Sequence, residues 1–360
     1  MSYVLAALGF MVLIVLHEAG HFTAAKLVGM RVEKFALFFG PPIWKKQVGE
    51  TEYSVRVIPA GGYVKITGMN PSESLSDEVR TRAYYSQPVW KRLVVISAGP
   101  AVNLVIGFVL LLVYAGVIGL HKGNEVGTIS KNLPAQGVLH PGDVLVAVDG
   151  HGGSTDVLTK QVTKHTCDFK LRVNGCKATT PALLTVERNG KRMTISMTPV
   201  YDAQYKRMRL GFSYNPMGGP HETVGVGDSF SRAGTAFWNI TKAEISLPAK
   251  ILDSKQRKQI NGLVGSYETT RQTILADAGD VVLIMALISL ALAIVNLFPF
   301  LPLDGGHIFW AIVEKVRRKP VPFSTMERSG VVGFVLVLML FALGLSNDIH
   351  TLSNGGFKAP

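Results

Sequence analysis

"MVLIVLHEAGHFTAAKLVG", residues 11–29, begins as a run suited to a lipid bilayer and then carries His17, Glu18 and His21. Ionisable side chains at membrane depth are costly, and where they occur they ordinarily serve a function. The apolar part before His17 is too short to cross a bilayer, because a spanning helix takes about 20 apolar residues. The span therefore runs from about Tyr3 to Ala25 and includes the polar cluster. It has no basic leader and no small-residue cleavage site, so it reads as a retained span and not a signal peptide.

The rest of the chain fits that reading. Of its 360 residues 48% are hydrophobic, and the mean hydropathy of +0.27 is too high for an ordinary soluble domain. Three more apolar runs follow, at about 93–120, 281–303 and 330–345. The net charge is +12. Its lysines and arginines gather beside the apolar runs, which is the pattern of topology-setting loops and not of nucleic-acid binding. Between the first two runs stand eleven, among them Lys26, Arg31, Arg56, Arg82 and Arg92; between the last two stand Lys315, Arg317, Arg318, Lys319 and Arg328. Both loops, 32–92 and 308–329, are expected on the cytoplasmic side of a multi-pass inner (plasma) membrane protein. The segment between the second and third spans is expected outside.

The first loop is structured. "VEKFALFFGPPIWKKQVGETEYSVRVIPAGGYVKI" (32–66) reads as two or three strands, with Gly49-Glu50 as a hairpin turn. Either it is a soluble hairpin, or it is a β-rich element lying against the membrane beside the first helix. Phe35, Leu37, Phe38, Phe39 and Trp44 suit the second reading. The outer segment contains "EVGTISKNLPAQGVLHPGDVLVAVDG" (125–150) and "ALLTVERNGKRMTISMTPV" (182–200), alternating strands with Asp149-Gly150 and Asn189-Gly190 as turns. This stretch, 121–215, resembles a PDZ domain, with "HTCDFKLRVNGCKATT" (165–180) as an insertion. Its Cys167 and Cys176 fit no metal or redox motif; they form one disulfide or stay as two thiols. Residues 216–280 suggest amphipathic helices on the outer membrane surface. His121 and His140 lack ligand spacing and are expected to be surface groups. The fold class expected is a polytopic α-helical membrane protein, with about four transmembrane helices, a membrane-associated β-rich loop and an inserted extracytoplasmic PDZ-like α+β domain.

His17 and His21, four apart on a helix, share one face at about 6 Å spacing along the axis. Two histidines so spaced bind Zn²⁺, and the adjacent Glu18 is placed to take a proton from water. A catalytic zinc takes a third protein ligand and leaves one position open. "NLFPFLPLDGGH" (296–307) ends the third apolar run with Asp304, at the same cytoplasmic depth as His17 and His21. Pro299 and Pro302 break the helix before it, and Gly305 and Gly306 are expected to let the backbone turn tightly.

The HEAGH stretch (17–21), NLFPFLPLDGG (296–306) and a PDZ-like domain between spans two and three resemble, in order over nearly the whole chain, the bacterial site-2 proteases. These are zinc intramembrane metalloproteases of the peptidase M50 type. The resemblance implies His17, His21 and Asp304 as zinc ligands and Glu18 as catalytic acid/base. It implies Asn296, with Asn103 and Gly99 of "GPAVN" (99–103), as groups near substrate and oxyanion. One departure is Leu301 where the family usually has proline, with Pro302 following. The resemblance also implies cleavage inside transmembrane segments of single-span substrates, such as anti-sigma-like regulators already cut by an upstream site-1-type protease, and remnant signal peptides. A sheet edge of the 32–66 loop, at positions such as Val55 or Val57, is expected to capture substrate by strand addition. A non-catalytic membrane-anchored PDZ scaffold and a metal transporter are the rival readings; neither needs Glu18.

Overall fold

The computed structural model describes residues 2–70, 73–168, 173–215, 218–248, 253 and 262–353. It divides into two compact units, Met1–Tyr114 with Val226–Ala359, and Ala115–Gly225.

In the first unit α1 (Ser2–Leu27) leads into a sheet of β1 (Val32–Val48) and β2 (Thr51–Ile66). A single turn, α2 (Asp77–Arg80), and the long α3 (Val89–Val113) follow. After the second unit, which holds α4 (Thr155–Lys164), come α5 (Val226–Ile245), α6 (Leu263–Ala276), α7 (Asp280–Asn296), α8 (Asp304–Arg317) and α9 (Phe323–Ser353). Among the described residues three helices are long and apolar enough to cross a membrane: Leu8–Leu27, Val89–Ile118 and Ser324–Ser353. The last reaches beyond the apolar 330–345, because its ends are helical yet polar.

The third expected span differs from its reading. Instead of one helix over 281–307, α7 stops at Asn296 after 17 residues. The chain turns through 297–303, where Pro299 and Pro302 offer no amide to a helix. Asp304 then opens α8, and α8 with the start of α9 makes most of the expected loop 308–329 helical. Gly305 and Gly306 lie inside α8 and do not make a turn. A Cβ on either would collide with the main chain of 297–301, so they permit close packing against the preceding turn.

α3 lies between α1 and α7. Leu111, Ala233, Ala286 and Leu290 form a core joining α3, α5 and α7. Ala25, Met30, Val32, Ile66, Val95 and Ile96 form another, joining α1, the sheet and α3. Arg92 of α3, which is buried, makes a two-pronged ion pair with Glu314 of α8 (2.9 and 2.6 Å) and fixes the helix that begins with Asp304.

The Gly49-Glu50 turn forms as expected between Val48 and Thr51. Arg82 and Lys26 hold Glu50, so its carboxyl falls to about 2. Each strand bends and pairs twice. Phe35 faces both Tyr53 and Val64, and Val55 faces both Leu37 and Trp44. Val55 is therefore interior to the sheet, and 62–66 is an outer edge. The expectation that Val55 offers a free edge is corrected by this fold-back, which alternation in sequence cannot reveal.

In the second unit the sheet has the order β11-β4-β5-β7-β8: Phe212–Asn215, Glu125–Ile129, Val144–Val148, Ala182–Arg188 and Lys191–Met197. Leu158 and Val162 of α4 close its core with Val126, Leu145, Val148 and Leu184. Asn189 and Gly190, both with positive φ, turn the β7–β8 hairpin. In the expected insertion Cys167 and Cys176 are disulfide-bonded and pack with Ala178 and Met208. The two-residue strands β3 (Leu120–His121) and β12 (His221–Glu222) pair near the two ends of the unit. The stretch 216–280 contains the helices α5 and α6; residues 216–217, 249–252 and 254–261 lie outside the described residues.

Candidate active site

α1 places His17 and His21 one turn apart, both buried, with Nε2 atoms 3.2 Å from each other. Asp304 Oδ2 is 3.3 Å from each. It is buried and makes no conventional hydrogen bond. Three donor atoms thus form a nearly equilateral triangle. A tetrahedral ion with bonds of about 2.0–2.1 Å separates its ligands by about 3.3 Å. The donor set, two imidazole nitrogens and one carboxylate oxygen, suits zinc. The residues present therefore fit a zinc ion with a fourth position open.

The protons agree. His21 Nδ1 is 2.9 Å from the Val95 carbonyl, which only accepts, so Nδ1 carries the hydrogen and Nε2 keeps its lone pair. His17 Nδ1 is 3.2 Å from the Asn103 side-chain amide. Asn103 is wholly buried, and with its nitrogen toward the ring its Oδ1 has no partner. A half-turn of the amide puts Oδ1 on His17 Nδ1–H, gives that oxygen a donor and frees His17 Nε2. Both imidazoles are thereby oriented from α3.

α1 and α3 must touch for this to happen. A Cβ on Gly20 would lie 3.0 Å from the Ala98 carbonyl carbon, and one on Gly99 would enter the His21 ring. Glycine at both positions permits main-chain contact between the helices. Gly99 leaves space for the imidazole, and Asn103, one turn further, meets the other.

The open side of the triangle faces a cavity of about 400 Å³. Glu18 borders it, as do Asn296, Pro302 and His307. The opposite rim is Gly61, Gly62, Tyr63 and Val64, the outer edge of β2, with the Val64 amide directed at the Glu18 carboxylate. The structure thus brings His17, Glu18, His21, Asp304 and Asn296 together. It places Asn103 behind His17 and off the cavity wall, where it meets an imidazole and not the expected oxyanion.

Sequence reasoning did not single out the Val95 carbonyl, the Gly61–Val64 rim or the Arg92–Glu314 pair. A main-chain acceptor leaves no residue signature. The ion pair joins positions 222 apart in sequence, and only the lone acid just before the basic residues 315–319 hinted at it. His121 was read as a surface group, yet the β3–β12 pairing sets it against His221.

Relatives carry the same pattern of length. A protein of Clostridium perfringens is 30% identical over 351 residues, 97% of this chain and 98% of its own. Zinc metalloprotease Rip1 of Mycobacterium tuberculosis is 31% identical over 403 aligned positions, 96% of each chain. A Synechocystis relative is 32% identical over 359 residues, 97% of this chain and 95% of its own. The family description that matches residues 5–340 is Peptidase family M50. With nearly its whole length matched and two buried histidines and the half-buried Asp304 converging beside a glutamate, this chain belongs to peptidase family M50.

Proposed function

We propose that this chain is a zinc-dependent endopeptidase that cuts peptide bonds within transmembrane segments of single-span membrane proteins. The observation that carries the reading is the triangle of His17, His21 and Asp304 donor atoms, edged at 3.2–3.3 Å, with Glu18 beside its open face. His17, His21 and Asp304 hold the zinc. Bound zinc supplies Lewis-acid polarisation of a peptide carbonyl and acidifies water at neutral pH. Glu18 takes the proton from the attacking water and passes it to the leaving amine nitrogen as the C–N bond breaks. Asn296, on the cavity wall, donates its amide N–H to the substrate carbonyl. Asn103 and the Val95 carbonyl hold the two imidazoles in the tautomer that coordinates.

A transmembrane helix hides its peptide bonds in its own hydrogen bonding and must be extended before cleavage. The β2 edge at 62–66 borders the cavity, and a substrate strand added there by main-chain hydrogen bonds lies across the zinc face. That edge replaces Val55 and Val57 as the capture position. The exposed apolar side chains Phe39, Ile43, Trp44 and Ile58 support a sheet lying against lipid over a soluble hairpin. α7, at 17 residues, serves as a fourth membrane segment, finished by the turn at 297–303. The unit at 115–225 is a PDZ-like domain outside the cytoplasm, and the site lies toward the cytoplasmic face of the plasma membrane. Substrates are anti-sigma-like regulators pre-cut by another protease, and remnant signal peptides.

The test is Glu18→Gln in purified full-length protein with a single-span reporter. The proposal expects cleavage to fall by at least about 10²-fold, the scale of a lost general acid/base, with zinc content unchanged. Turnover that persists in this variant removes the enzymatic reading and leaves the scaffold or transporter.

A further inference from the structure

A second pair of imidazoles, within the 115–225 unit, repeats the geometry of the first. His121 and His221 stand directly opposite each other on β3 and β12, with rings perpendicular and Nε2 atoms 3.0 Å apart. His121 Nδ1 is 3.1 Å from the Gly219 carbonyl, and His221 Nδ1 is 3.3 Å from the Ile118 carbonyl. A carbonyl only accepts, so each Nδ1 carries the hydrogen. Two rings held in this way direct both Nε2 atoms toward one small space. A metal ion is one group that such an arrangement fits.

We infer that His121 and His221 form a second transition-metal site, taking a divalent ion such as Zn²⁺ or Co²⁺ through both Nε2 atoms. The 3.0 Å separation is close to the roughly 3.3 Å edge of a tetrahedral zinc site, and main-chain carbonyls on Nδ1 are the outer support that ligating histidines ordinarily have. Imidazole donors select zinc, cobalt, nickel or copper over calcium or magnesium.

The placement gives the site a purpose. β3 and β12 have two residues each, and an isolated pairing so short is not stable by itself. Yet they join the beginning and the end of the unit, across 100 positions of chain. A metal bridging them closes that long loop and clamps the two connections of the domain together. The site is separate from the His17, His21 and Asp304 centre and rests on none of its residues.

The experiment loads full-length protein in detergent with Co²⁺ after chelation, removes excess ion, and counts cobalt per chain with its visible spectrum. The expected result is about two ions for the unmodified chain and about one for His121→Asn with His221→Asn. His17→Asn with His21→Asn leaves the proposed pair untouched and is also expected to retain about one, so a folding defect in the first variant does not remove the test. One ion in the unmodified chain, unchanged by the His121 and His221 substitutions, overturns the inference. Loss of all cobalt on substituting His17 and His21 overturns it equally. Failure of those latter substitutions to lower the count counts instead against the catalytic centre.

Discussion

Gly99→Ala is the sharpest small perturbation of the site. The added Cβ would sit 2.7 Å from His21 Cε1 and 2.8 Å from Cδ2, where ordinary contact begins at 3.4 Å. The coordinating Nε2 would be nearer still, so the ring must retreat by about 1 Å. It cannot pivot freely, because its Nδ1 is bonded to the Val95 carbonyl on the same helix. Coordination tolerates errors of about 0.2 Å, so the displacement is about five times what a zinc bond absorbs. A methyl group on α3 is thus expected to act like partial removal of a ligand on α1. The outcome expected is a drop in zinc affinity of at least about tenfold, the scale of a disturbed ligand orientation. Turnover at saturating zinc should fall about 10²-fold, the usual consequence of an ångström-scale misplacement. The assay is zinc competition with a chromophoric chelator, followed by reporter cleavage across a zinc series, with thermal unfolding to check the fold. Wild-type zinc affinity and turnover in this variant would refute the argument that α3 positions His21 by main-chain contact.

Other outcomes follow from the same geometry. Asn103→Leu should weaken zinc binding by about 10–100-fold, because His17 loses its Nδ1 partner; reduced turnover with unchanged zinc affinity would return Asn103 to an oxyanion role. In a Glu18→Gln background, cysteine at Tyr63 should crosslink to a cysteine in the substrate's extended segment, whereas cysteine at the interior Val55 should not; equal crosslinking at both would dismiss capture at the β2 edge. Burial pushes the Glu244 carboxyl up from 4.5 to about 7. Ionisation in the folded state is therefore disfavoured, and its cost is felt in full above pH 7 and fades as pH falls toward 4.5. Glu244→Gln should raise the unfolding temperature at pH 8 and lose that advantage near pH 4.5; the same gain at both pH values would contradict the assignment.

What was legible in the sequence was chemistry that costs too much to be incidental. His17, Glu18 and His21 in an apolar helix, and Asp304 after an uncharged run, announced themselves by their expense. Turn chemistry was also readable, and Gly49-Glu50 and Asn189-Gly190 both turn hairpins. The double prolines correctly signalled a break before Asp304. They did not say that a new helix starts at that residue, because the glycines that usually favour turns here serve close packing. The folding of β1 and β2 back on each other depends on bulges, which leave no periodic signal, so an interior strand was taken for an edge. Asn103 was placed near the site but given the wrong neighbour, since its partner is fixed by how α3 rotates against α1. His121 and His221 have no local spacing at all, and only the strand pairing brings them together.

The central claim is that one zinc ion sits between His17, His21 and Asp304 with Glu18 at its open side. Anomalous diffraction at the zinc edge from crystals of the Glu18→Gln protein tests it most directly. The account predicts a peak about 2.0–2.2 Å from His17 Nε2, His21 Nε2 and an Asp304 carboxylate oxygen. A zinc-loaded crystal with no peak among these three atoms would contradict it.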